Sequence, residues 1–293
     1  MPETENHDYA MERRLRIMNP ELHRRFTDAV FALQYNLSNY KLIFPEYTDH
    51  SNLHSMTVID FCNRLIGDRI DRLNADELYV LLMGCYFHDT GMGITMNDYR
   101  EFSAQIDFKN YFDTHSREDL PEIIRSFHNE FSGRFIRKYA ELFELPSEEH
   151  LRAVIQIARG HRKTDLMDEN EYPAALRVPD GNTVCLPYLA ALIRLADEID
   201  VAAARNPTLL YDIESLTDAV EIIENKKVKA VRQLLVTKDE FVLYVDPSDE
   251  LILGHIREMV VKMQKTLDFC RRVVELRTPF VITQQRVRME ETA

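Results

Sequence analysis

The sequence predicts a mainly helical body over residues 1–206, joined to a smaller α+β part over residues 207–293 with the ferredoxin-like order β-α-β-β-α-β. Three observations predict it. The 293 residues are 45% hydrophobic and 29% charged with only 8 Gly and 11 Pro, the composition of a folded chain long enough to bury a sizeable core. From residue 11 to about 205, apolar side chains recur at the three-to-four spacing of helices. After Pro207 the pattern breaks into short, strand-like apolar runs.

The elements follow in chain order. Asn74-Ala75-Asp76-Glu77 reads as a capping box that opens the apolar stretch Leu78–Phe87. Asp119-Leu120-Pro121 opens another helix, with proline at an early position where its missing N–H costs nothing. Ser147-Glu148-Glu149 opens a third, and Pro187 a fourth that runs through Leu189, Ile193 and Asp197. Residues 92–118 and 162–185 are poor in helical pattern, and the second holds Pro173, Pro179 and the turn signal Asp180-Gly181-Asn182. Loops of this length in a compact domain are often lids or binding loops. Beyond Pro207, Thr208–Ile213 reads as a strand, Ser215–Glu224 as a helix, and Val228–Val236 with Phe241–Val245 as a hairpin around Lys238-Asp239. A long helix from Asp249 to about Val274 and a strand over Phe280–Val287 complete the order. No internal repeat or low-complexity tract is visible.

Charge and composition exclude several classes. The formal net charge is −13, which opposes broad binding to a duplex phosphate backbone, so an anionic substrate requires local Arg, Lys or metal cations. No apolar run approaches the ~20 residues of a membrane span. The acidic, polar start Met1-Pro2-Glu3-Thr4-Glu5 is unlike a signal peptide. Cys62, Cys85, Cys185 and Cys270 stand far apart with no paired spacing, as expected of reduced thiols in a cytoplasmic protein. The long C-terminal helix and the sheet edge leave room for a homo-oligomer.

The informative feature is polar residues on apolar helix faces. His54 shares a stripe with Val58, Phe61 and Leu65; His128 with Ile124, Phe131 and Phe135; His161 with Val154 and Ala158. Asp197 continues the Leu189–Ile193 stripe where an apolar residue is expected, and His88-Asp89 ends the stretch 76–87. One inward histidine is ordinarily a core imidazole bonded to a carbonyl, and one helix-end aspartate caps a turn. Six such groups from five helices would each need a separate partner, whereas one metal cluster satisfies them all. Imidazole plus carboxylate without nearby Cys suits Mn, Fe, Zn, Co or Ni better than a thiolate site or an oxygen-only calcium loop.

The series His54 … His88-Asp89 … Asp197, set in "HSMTVIDF", "CYFHDTGMG" and "LAALIRLADEID", resembles the signature of the HD superfamily of metal-dependent phosphohydrolases over residues 45–205. The resemblance implies a helical HD bundle in which His54, His88, Asp89 and Asp197 bind a first metal. His128 and His161 are similar to the further histidines of members with a second metal or a catalytic imidazole, so one or two divalent ions (Mn or Fe favoured; Zn, Co, Ni or Mg also possible) are expected. "IIRSFHNEFSGRFI" is similar to the HD-nucleotidase segment in which a histidine lies near the scissile phosphate. Arg162 follows His161, and neither the His-His pair nor the Gly-Tyr-Pro motif of cyclic-dinucleotide phosphodiesterases is present. "RLADEIDVAAAR" is similar to HD domains of bacterial signalling and defence proteins.

The expected reaction is hydrolysis of a phosphoester or phosphoanhydride, in a nucleotide, by hydroxide formed from a metal-acidified water. Asp89 and His128 carry the catalytic expectation, His128 as general acid or as a second-sphere contact to the phosphate. Arg162, Lys163 and Arg205 would supply positive charge to the substrate, against a solvated loop for the first two and a pairing of Arg205 with Glu198 or Asp200, with His50 as a further contact from the entry loop. Tyr86, Phe87, Tyr99, Phe102, Tyr111 and Phe112 could stack a base or simply fill the core. Asp60, His115 and His150 read as surface or capping residues. A nucleotide-sensing module without turnover and a di-iron oxygenase are the competing functions, since function resides in the site and not in the fold.

Overall fold

A computed structural model describes residues 9–45, 48, 50–201, 213, 216 and 219–292. Helices α1 (Ala10–Met18) and α2 (Pro20–Ser38) form an antiparallel pair laid over α4 (Ala75–Phe87). All thirteen residues of α4 are buried, which is why the stretch is apolar on every side. Its start is the capping box expected: Asn74 accepts from the Glu77 N–H, and Glu77 accepts from the Asn74 N–H. Around α4 stand α3 (Asn52–Ile66), α7 (Glu148–Gly160) and α8 (Leu186–Ile199), and α6 (Leu120–Lys138) packs on α7 and on the turn Thr90–Gly93 that follows α4. Ser51, Asp119 and Ser147 cap α3, α6 and α7 through their side chains. Gly84 lets α7 and α8 close on α4: a Cβ there would lie 2.4 Å from Ile157 and 2.7 Å from Ile193.

The two segments expected to lack helical pattern are more ordered than that. Residues 92–118 contain α5 (Met96–Ser103), opened by a capping box between Thr95 and Asp98. This signal is short and mostly polar, so an apolar-period reading passes over it. Residues 162–185 contain the two-residue strands β1 (Leu176–Arg177) and β2 (Thr183–Val184), paired across a turn in which Gly181 takes φ +92°.

The C-terminal part supplies α9 (Ala219–Ala230), β3 (Val231–Val236), β4 (Glu240–Val245), α10 (Glu250–Arg277) and β5 (Arg286–Glu291). β3 and β4 pair antiparallel about Lys238-Asp239, and β5 lies parallel to β4 on its other side, so α10 is the crossover of a βαβ unit. The small α+β part therefore stands, while the strand expected over 208–213 lies outside the described residues except for Ile213. Two boundaries move. The helix ahead of β3 runs to Ala230 and not to 224, because Val228 packs as a helical residue beside the buried Asn225. The last strand starts at 286 and not at 280, because Phe280 is held flat on Tyr188 (4.2 Å between centroids) and Ile282 is buried in the core. α10 packs along α8, and one apolar core runs from Met11 to Ile282.

His150 is not at the surface. It is 4% exposed and donates from Nε2 to Asp76 Oδ1 at 2.8 Å, while Asn182 Nδ2 donates to Asp76 Oδ2 at 2.8 Å. Burial pushes the Asp76 carboxyl up, but these hydrogen bonds outweigh it and hold the group below the usual aspartate value. A carboxyl with a lowered folded value stabilises the fold above its unfolded pKa of about 3.9, and that contribution fades as pH falls through the folded value. Asp76→Asn is thus expected to flatten the acid limb of the melting curve below about pH 4 and to cost about 3 kcal/mol near neutrality, measured by thermal denaturation from pH 2 to 8.

Candidate metal centre

Three of the converging histidines are oriented by their own helices. His88 Nδ1–H donates to the Cys85 carbonyl (2.9 Å), His128 to Arg125 (2.8 Å) and His161 to Ala158 (2.5 Å), each three residues back. For His88 and His161, which stand just past the ends of α4 and α7, these are carbonyls of a last turn that lack a full set of helical partners. His54 differs: its Nδ1–H donates to Asp200 Oδ2 at 2.6 Å. Since a carbonyl or carboxylate can only accept, all four rings carry the proton on Nδ1 and present bare Nε2 atoms inward.

Those Nε2 atoms meet in two pairs. His54 and His88 approach to 3.1 Å, His128 and His161 to 2.8 Å. Asp89 lies between the pairs. Its Oδ2 is 3.5 Å from His54 and 3.4 Å from His88; its Oδ1 is 3.3 Å from His128 and 3.7 Å from His161. Asp197 Oδ1 adds a second carboxylate 3.3 Å from His54 Nε2. Two triads result, His54–His88–Asp89 and Asp89–His128–His161, each with three ligand atoms close enough for one ion. Two lone pairs facing each other at about 3 Å repel unless a cation lies between them, so the donor set fits divalent cations, which His54, His88 and Asp89 or Asp89, His128 and His161 would hold. Burial, aided by Arg162, pushes the His128 imidazole down to about 4, and burial among its neighbours pushes His161 well down too, so neither ring supplies a proton to relieve the contact.

The carboxylates behave in the opposite sense. Burial alone would raise Asp89 and Asp197, yet the imidazoles around them hold both well below the usual range, anionic and ready to ligate. The Asp89 turn is fixed against α6: Ser132 Oγ–H donates to the His88 carbonyl (2.6 Å) and accepts from the Gly91 N–H (2.8 Å).

A cavity of about 440 Å³ opens on this floor. His50, Asp89, His128, His161, Arg162 and Asp197 line it, so His50 and Arg162 stand where a substrate would lie. His50 Nε2 is 4.0 Å from Asp89 Oδ2. Lys163 is not brought in: its Nζ donates to the Ser126 carbonyl at 3.3 Å on the flank of α6. Arg205 lies outside the described residues. None of the six aromatic residues weighed as base-stacking platforms lines the cavity; Tyr86, Phe87 and Phe102 are core, and Tyr111 packs edge-on to Phe112 and Phe127. Both ring nitrogens of His128 are engaged, which leaves it no atom for the general-acid role once it serves as a ligand.

A family model described as HD-CE matches residues 44–278. The chain belongs to the HD-CE family. No curated protein and no solved structure matches the chain. The HD-CE match runs beyond the 45–205 span of the sequence motifs to the end of α10, so α9, β3, β4 and α10 are part of the family unit. Their side chains Lys227, His255, Met259 and Lys262 share the cavity lining with the metal centre, which no motif signalled. Asp200 was also missed. Its position three residues after Asp197, at the C-terminal cap of α8, was the available signal. As the partner that orients His54, it should be replaced only at a cost: Asp200→Asn is expected to weaken metal affinity about 10–100-fold, read by competition with a chelator.

Proposed function

We propose that this HD-CE protein hydrolyses a phosphoester or phosphoanhydride bond in a nucleotide, with two divalent ions held by His54, His88, Asp89 and Asp197 and by Asp89, His128 and His161. The observation that carries this reading is the single buried carboxylate shared by two histidine pairs at the floor of an open cavity. When bound, such ions polarise a phosphoryl oxygen and acidify a water toward neutral pH, and Mn or Fe suits the mixed nitrogen and oxygen donors.

The protein's own residues supply the rest. Arg162 and Arg125 line the cavity and can grip phosphoryl oxygens with paired N–H groups. Met92, Val201, Val228 and Met259 give the same cavity an apolar side suited to the flat face of a base. His50, whose Nδ1–H donates to the Thr48 carbonyl at 2.8 Å, would take the proton-donor role as its imidazolium, giving the Nε2 proton to the leaving oxygen and remaining as the neutral Nδ1–H ring.

A panel of nucleoside mono-, di- and triphosphates and cyclic dinucleotides, incubated with the manganese-loaded protein, tests this. Released phosphate, pyrophosphate or triphosphate that disappears with a chelator and in His88→Ala is the expected result. Tight nucleotide binding with no product would instead mark a sensing module, and dioxygen uptake by the iron-loaded protein a di-iron oxygenase.

A further inference from the structure

The cavity has two kinds of lining. The floor carries the candidate metal ligands; one wall comes from α9 and α10, which contribute none. Lys227 and Lys262 stand on that wall. Each is held by an acid: Lys227 Nζ is 2.7 Å from Glu224, one turn earlier in α9, and Lys262 Nζ is 3.0 Å from Glu198 in α8. Glu198 directly follows the ligand Asp197, so the second pair ties the wall to the centre.

Charge decides what such a cavity attracts. Among the described lining residues, Asp89, Asp197, Glu198, Asp200, Glu224 and Glu258 bring six negative charges, and Arg125, Arg162, Lys227 and Lys262 bring four positive ones. The lining is therefore negative by two, and two divalent ions would make it positive by two. A chain of net charge −13 would otherwise repel an anion, so binding of an anionic substrate is coupled to the centre. With one phosphoryl group at the floor, ~440 Å³ leaves space for much more of the molecule.

We propose that Lys227 and Lys262 bind a second phosphate of the substrate, making the α9–α10 wall the element that selects compounds with two or more phosphates over monophosphates. The inference rests on the phosphohydrolase reading above. The lysines keep their acid partners when the cavity is empty of substrate. Lys262 is 72% exposed, so its pair is weak and gives way to a phosphate of higher charge density.

Calorimetric titration of the manganese-loaded protein, with manganese in excess, with orthophosphate and with non-hydrolysable imidodiphosphate tests it. The expected result is at least tenfold tighter binding of imidodiphosphate, reduced to parity with orthophosphate in Lys227→Ala/Lys262→Ala while metal content stays unchanged. Glu198→Gln/Lys262→Gln, which leaves no lone carboxylate, should lose part of the preference. A double-lysine variant that keeps the full preference, or a wild-type protein that shows none, overturns the wall assignment alone. Failure of the loaded wild type to bind either anion overturns the phosphohydrolase reading and this inference with it.

Discussion

Asp89→Ala is expected to empty both halves of the metal centre at once. In the folded chain one carboxylate serves two histidine pairs, Oδ2 facing His54 and His88 and Oδ1 facing His128 and His161. Removal of a side chain that belongs to only one pair, as in His161→Ala, should cost one ion; removal of the shared one should cost two. Elemental analysis after gel filtration reads the difference directly. Hydrolysis should fall about a thousandfold or more, since loss of the ions forfeits several kcal/mol of transition-state stabilisation and each 1.36 kcal/mol is tenfold in rate. The wild-type protein should gain about 2.7 kcal/mol of stability per bound ion at a metal concentration a hundred times the dissociation constant, and Asp89→Ala none of it. Retention of one tightly held ion by Asp89→Ala would show that the carboxylate is not shared.

Gly91→Ala is the second change with a large expected effect, and it touches no ligand. A Cβ at this position would sit 2.1 Å from the His128 carbonyl oxygen, 2.7 Å from the Ser132 nitrogen and 2.9 Å from Phe131 Cβ. Two of these are backbone atoms of α6, so no flexible side chain can swing aside. Either the turn after Asp89 or α6 must move, and the Ser132 bridge to His88 and Gly91 is stretched in both cases. The expected cost is about 1–3 kcal/mol or more, a fall of several degrees in melting temperature. His128 rides on α6, so the ion of the Asp89–His128–His161 triad should be lost before that of His54–His88–Asp89. Melting curves together with metal stoichiometry check both parts. Gly254→Ala is the matched control: a Cβ there meets nothing within 4 Å, and alanine should stabilise α10 by up to about 1 kcal/mol. An equal loss in both variants would contradict the close-approach argument.

The signals legible in the amino-acid sequence are local and periodic. Asn74 and Glu77 announce α4, Asp119, Ser147 and Pro187 open α6, α7 and α8, and imidazoles at 54, 128 and 161 interrupt apolar stripes. These signals survive in one dimension because helical geometry fixes which residues share a face. Where the local signal was polar and short, as at Thr95–Asp98, or where β-branched residues continued a helix, as at Val228, the reading slipped.

Residue type and helical spacing were enough for the helical body, for the inward histidines and aspartates, and for the expectation that a cation joins them. Packing alone sets Asp89 between two triads, brings Asp200 to His54, turns His128 Nε2 onto His161, and lays α9 and α10 along one wall of the cavity. The physical reason is that ligation and cavity shape depend on distances of a few ångströms between atoms far apart in the chain, such as His54 and Asp200 at 146 residues of separation. No periodicity encodes such a distance; it is set by how the helices pack.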